Sequence, residues 1–209
     1  MESLDYVWYA SYGSNINHDR FLCYILGGTP EGSSKREIGC RDQSLPIEAR
    51  NLIIKHPLYF TKEADKWQGK GVAFIDLESI PETNTYSRMY LITREQFIDV
   101  VRQENEQSGE LELDLEAVIQ NGSHIFRKSW YGNVLYLGEE EGYPIFTFTS
   151  TEKMKKDELN PPSLEYLQTI LKGIHKDMGI SREAVIDYIK AVPGVASFYS
   201  DQQLATLDF

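Results

Sequence analysis

Phe97, Val100 and Val101 fall at helical spacing behind Thr93, and Gln96, three residues after that threonine, completes a capping-box pattern. Adding seven to Phe97 continues the same helical face, and the residue there is Glu104 rather than another hydrophobe. A carboxylate on an apolar stripe costs stability unless function retains it, and partial desolvation suits it to taking up and returning a proton. A second chemical element lies near the start of the chain, in the turn-forming cluster Ser11-Tyr-Gly-Ser-Asn15. Backbone N–H groups of a glycine loop such as Tyr12–Asn15 are natural donors to an anion or to the oxygen of a tetrahedral intermediate. An acid/base and an oxyanion site are the chemistry these residues would support.

Other chemistries have no visible starting point. No G-x-x-x-x-G-K-[ST] or G-x-G-x-x-G pattern is present, and Gly69-Lys-Gly71 is only a fragment of such a pattern. His18, His56, His124 and His175 lie far apart, outside any H-E-x-x-H or C-x-x-C partnership, so no metal is expected. Cys23 and Cys40 have no nucleophile signature or partner at metal spacing, and both are expected reduced. No G-x-S-x-G elbow exists. No cofactor is implied.

The elements that must position Glu104 and the loop follow from periodicity. Tyr6-Val-Trp-Tyr-Ala10 reads as a strand running into the loop, and Ile16, Phe21, Leu22, Ile25 and Leu26 as a helix stopped by Gly27-Gly28. Residues Gly32–Pro46 read as loop. Asn51–Phe60, Gly71–Leu77 and Tyr86–Ile92 read as strands, Thr93–Glu106 as a helix, and Asn105–Asp114 as an exposed polar insertion, followed by a short helix at Leu115–Ile119. Tyr131–Leu137 and Pro144–Thr149 read as a hairpin with a longer loop. The C-terminal third turns helical: Pro161-Pro162-Ser163 starts a segment bearing Leu164, Leu167, Ile170, Leu171 and Ile174 that ends at Gly179. Ser181 caps another, which Pro193-Gly194 closes.

Strands and helices interleave without a βαβαβ rhythm, which favours an α+β domain with mixed strands in a small barrel or curled sheet. At 209 residues with 41% hydrophobic composition, one domain over 1–209 is expected. A net charge of −11 repels a phosphate backbone, so nucleic acid is not expected as a partner. No apolar run is long enough to span a membrane, and the N-terminal Met-Glu-Ser-Leu-Asp lacks a basic signal region, so a cytoplasmic location is expected.

Tyr9-Ala-Ser-Tyr-Gly-Ser-Asn15 resembles the Y-x-x-Y-G-S-N loop of the γ-glutamylcyclotransferase family, which lies there between the first strand and first helix. Trp67-Gln-Gly69 with Gly71-Val-Ala73 is similar to the family's tryptophan and glycine approach to a strand, with an extra residue between the glycines. Asp99-Val-Val-Arg-Gln-Glu104 resembles the helix end that carries the family's catalytic glutamate, with Asn105 in place of the usual glycine. Pro161-Pro162-Ser163 with Tyr166 is similar to its P-P-S-x-x-Y element. The matches run in order from Tyr9 to about Pro193.

The resemblance implies a small mixed β-barrel with surrounding helices and cyclisation of a γ-glutamyl amide or peptide to 5-oxoproline. Glu104 would be the general acid/base. Tyr9, Ala10, Ser11, Tyr12, Gly13, Ser14 and Asn15 would hold the glutamyl end, and Tyr166 would fix it for attack. Two other readings compete: a binding module that senses a γ-glutamyl metabolite without turnover, and a hydrolase using water. Trp67 and Tyr131 could line the pocket, although a large aromatic in a barrel strand is more often core, and neither is counted as catalytic.

Overall fold

The computed structural model describes residues 4–31, 33 and 35–209. Met1, Glu2, Ser3, Gly32 and Ser34, on which the readings of the chain start and of the 32–46 loop partly fall, lie outside the described residues. The aromatic and β-branched run that opens the chain forms β1 (Tyr6–Ser11), buried from Val7 onward. It pairs antiparallel with β5 (Thr85–Thr93) and parallel with β8 (Tyr143–Thr149). β2 (Glu48–Ile54), β7 (Asn133–Glu140) and β6 (Ser123–Ile125) extend these to a six-stranded mixed sheet of order β2-β5-β1-β8-β7-β6. Alternation along β1 sends Val7 and Tyr9 to one face, against Phe21 and Phe97, and Trp8 and Ala10 to the other, with Leu167 and Ile170.

The α+β expectation holds, with two changes in the strands. Asn51–Phe60, read as one run, is two strands: β2 ends at Ile54, and β3 (Leu58–Ala64) pairs instead with β4 (Lys70–Ile75) in a separate two-stranded ladder. Pro57 has no N–H to continue a ladder, so the chain changes sheets there. The longer loop expected at 138–143 is absorbed into β7 and β8. A register shift between Tyr136 and Glu139 brings the ladder down to Glu140 opposite Tyr143. Glu141 and Gly142, both at positive φ, make the two-residue turn. The two ladders do not close into one hydrogen-bonded ring; Thr149 joins them, its Oγ1 accepting from Ile75 N at 3.1 Å and donating to Ile75 O at 2.7 Å.

Helices cover both faces. α1 (His18–Leu26) is capped by Asn17, and α2 (Arg94–Glu104) by the expected Thr93/Gln96 box. α3 (Leu115–Asn121) packs beside β7. α4 (Leu164–Lys172) is capped by Ser163 and passes at Gly173–Asp177 into a π-helical turn, shortening the helix expected to reach Gly179. A Cβ on Gly173 would lie 2.5 Å from Asn17 N, so the missing side chain lets α4 rest on the start of α1. α5 (Arg182–Ile189) follows Ser181, and α6 (Asp201–Ala205), which periodicity did not show, ends the fold. Among the described residues no helix is long and apolar enough to cross a membrane.

Candidate active site

β1 stops at Ser11, and the chain turns under the end of the sheet. The Tyr12 hydroxyl anchors the turn by donating to Phe148 O at 2.7 Å. Ser14–Ile16 then forms a 3-10 turn, closed by Ile16 N to Gly13 O at 3.0 Å and Asn17 N to Ser14 O at 3.2 Å. The N–H groups of Gly13, Ser14 and Asn15 donate to no acceptor among the described residues. Gly13 is not at positive φ, as a turn glycine would be, but at φ −110°. Its lack of a side chain answers a close approach: a Cβ there would lie 3.4 Å from the Tyr166 hydroxyl and 3.5 Å from Ala73 Cβ.

Glu104 is the last residue of α2 and is half-buried. Its Oε1 accepts from Asn15 Nδ2 at 3.1 Å, which ties the helix end to the loop. Asn105 takes φ −94°, so no glycine is needed to leave the helix. Its side chain donates to Tyr131 O at 3.1 Å and accepts from Ser129 Oγ at 2.6 Å, stitching α2 to the segment before β7. The insertion expected at 105–114 is therefore not wholly exposed: its first two residues, Asn105 and Glu106, line a cavity.

Tyr166 projects from the first turn of α4, where Ser163 Oγ accepts its N–H at 3.1 Å. The side chain is buried, with the ring 4.7 Å from that of Trp67 and the hydroxyl accepting from Ala73 N at 3.3 Å. Burial pushes its pKa up to about 12, and the Glu104 charge adds to this, against the opposing pull of the Ala73 N–H, Arg20 and Ser14. Burial likewise holds Tyr9 well above the usual tyrosine range, with Glu104 as the next cause. Tyr24 is raised by burial first, then by Glu104. Neutral phenols thus neighbour the Glu104 carboxylate.

These groups share a cavity of about 760 Å³, within the range of small-molecule sites. Tyr9, Ser11–Asn15, Glu104 and Tyr166 all line it. Ala10 does not: strand alternation turns it into the core, and its carbonyl accepts from Thr147 Oγ1 at 2.7 Å. Trp67, which is buried, and Tyr131, which is half-buried, are both part of the wall. Trp130, Lys128, Glu63 and Asp65 complete the mouth and carried no sequence signal, because loops distant in the chain bring them together. Among the described residues no group of three or more His, Cys, Asp or Glu side chains is arranged to hold a metal ion, and Cys23 and Cys40 are unpaired.

No protein-family model matches the chain. It is 39% identical over 202 residues to Histone deacetylase 5 of Arabidopsis thaliana, a match that takes in 89% of this chain and 31% of the plant protein. The chain thus spans about a third of the length of that curated relative. Among solved structures, a gamma-glutamyl cyclotransferase is 15% identical, with 90% of this chain and 88% of that one covered and a TM-score of 0.48. An uncharacterized protein from Homo sapiens is also 15% identical, with the same coverage and a TM-score of 0.51. The likeness to the human protein extends through most of both chains, and in its fold this chain is of the same kind.

Proposed function

We propose that the chain is a cofactor-independent γ-glutamylcyclotransferase, built as one domain over 1–209, that converts a γ-glutamyl amine or peptide to 5-oxoproline and the free amine. The observation that carries this reading is the Asn15–Glu104 hydrogen bond, which holds a half-buried carboxylate beside three unused backbone donors in one cavity. A γ-glutamyl substrate brings its own nucleophile, the α-amine, which is mostly ammonium at neutral pH and must lose a proton before attack. Glu104 takes that proton. The amine nitrogen then bonds to the γ-carbonyl carbon, and the carbonyl oxygen becomes an oxyanion facing the Gly13–Asn15 N–H groups. As the oxyanion collapses, the γ-amide C–N bond breaks and Glu104 hands its proton to the departing nitrogen; the carboxylate then takes the surplus proton from the ring nitrogen, leaving the neutral lactam, and passes it to the released amine, which departs as ammonium. No water is consumed. The cavity walls, with the Trp67 and Tyr166 rings packed 4.7 Å apart, favour the folded conformer that ring closure needs.

A screen of γ-glutamyl dipeptides, glutathione and γ-glutamyl amines with purified protein, reading 5-oxoproline and glutamate, tests the reaction. 5-Oxoproline is expected; glutamate alone would mean hydrolysis. An acetyl-lysine peptide belongs in the same screen because of the plant relative's name, and no acetate release is expected from it. Glu104→Gln keeps the shape and removes the base, so turnover should fall by at least about 10²-fold with the fold intact. Normal turnover in that variant would sink the assignment.

A further inference from the structure

Arg20 lies in the first turn of α1, where a cation gains nothing from the helix dipole, and it is 4% exposed. Burying a guanidinium is costly unless its charge is used. Its Nε donates to Ser14 Oγ at 2.9 Å, and its guanidinium carbon stands 5.6 Å from the centre of the Trp67 ring. Its Nη1 is buried without a hydrogen-bond partner. Glu104 and Glu37 act on the nearby Tyr24 along with Arg20, so this region holds both signs of charge. The guanidinium nonetheless retains an unfilled donor directly behind the wall of the cavity.

The direction of the donors follows from counting protons. Ser14 Oγ accepts from Arg20, which leaves the serine proton free to donate, and Ser14 lines the cavity together with Tyr166. The Tyr166 hydroxyl accepts from Ala73 N, so its own proton is likewise free to donate. A hydroxyl that accepts from a cation is polarised by it, and is a strong donor to an anion and a poor partner for a neutral donor group.

We propose that Arg20 is a positioning residue that makes this cavity selective for a carboxylate: it holds and polarises the Ser14 hydroxyl as a donor, and it supplies the positive charge behind the bound group. Resting on the γ-glutamyl reading, this assigns the α-carboxylate of the glutamyl end to the Tyr166 and Ser14 side of the cavity, opposite the amine that faces Glu104. A substrate whose α-carboxylate is amidated would present N–H where the cavity presents O–H.

The test is calorimetric binding of 5-oxoproline and of its carboxamide, which differ only in that group. Wild type should bind the acid at least about tenfold more tightly than the carboxamide, the scale of a charge-assisted hydrogen bond. Arg20→Gln keeps a donor toward Ser14 and removes the charge; it should bring the two affinities together by weakening the acid alone. Arg20→Lys restores the charge and should restore part of the preference. Wild type with no preference for the acid overturns the proposal, whatever the variants do. So does an Arg20→Gln protein that keeps the preference, or one that weakens both ligands equally, as a purely structural role would. Arg20-dependent carboxylate preference without any 5-oxoproline formation would sink the catalytic reading and leave this assignment standing. Turnover with no such preference would do the reverse.

Discussion

A single methyl group placed at position 13 probes the site more sharply than most larger changes. Gly13 sits at φ −110°, a value any residue adopts, and the nearest atoms to a new Cβ are at 3.4 and 3.5 Å, ordinary contact. Gly13→Ala should therefore change stability by no more than about 1 kcal/mol. Its methyl would nevertheless touch the Tyr166 hydroxyl beside the unused loop donors, and misplacing a substrate by a fraction of an ångström is expensive in rate. Turnover should drop by about 10- to 10²-fold at an unchanged melting temperature, measured by 5-oxoproline formation and calorimetry. Glu104 was legible in the sequence because it broke an apolar period, and the loop because its turn formers followed a strand. Arg20 was not legible. A charged residue at a helix start reads as solvated, and its burial depends on Trp67, far along the chain, closing over it.

The next scale up is the seating of α4 on α1, which sets where Tyr166 meets the loop. A Cβ on Gly173 would lie 2.5 Å from Asn17 N, the backbone donor that closes the 3-10 turn onto Ser14 O in the residue whose side chain caps α1, and it cannot yield without disturbing that turn. Gly173→Ala should lower stability by about 1–3 kcal/mol, the usual cost of overpacking, and should reduce turnover as well, because Tyr166 would be lifted from Gly13. Thermal unfolding and substrate titration on the same sample would check both; loss of neither would remove the seating from the account. Helix starts were readable here from Thr93, Ser163 and Ser181, whose side chains cap as their spacing indicates. The parallel pairing of β1 with β8 was not, since no local pattern announces a partner so distant in sequence. Nor was the move of the chain from one ladder to the other at Pro57 inferred, although the proline was there to suggest it.

For the molecule as a whole, buried neutral groups decide how it meets alkali. Burial pushes the Tyr59 and Tyr166 hydroxyls and the Cys40 thiol up to about 12. In the unfolded chain tyrosine ionises near 10 and cysteine near 8.5. Above those values the unfolded state sheds protons that the folded state keeps, so stability is full below about pH 8.5 and falls as pH rises through about 12. Melting temperature should decline across that window together with the rise of phenolate absorbance, and a flat profile to pH 11 would contradict it. Over the same range the phenols around Glu104 stay protonated, so the cavity keeps its donors for as long as the fold survives.

Thr149 gives the arrangement a mechanical meaning. Trp67 and Ala73 belong to the β3–β4 side of the cavity, whereas Glu104 and the Tyr12–Asn15 turn belong to the large sheet and its helices, and on the β7–β8 side the two are joined through side chains, by two hydrogen bonds of Thr149 to Ile75 and one from the Tyr131 hydroxyl to Ala73 O. The cavity accordingly runs along a seam and not through a continuous wall. Its width is set by the spacing of two ladders tied through side chains, so on the proposed reading a bulkier amine would be met by a change in that spacing, while the Asn15–Glu104 hydrogen bond, which lies wholly on the large-sheet side, keeps its geometry.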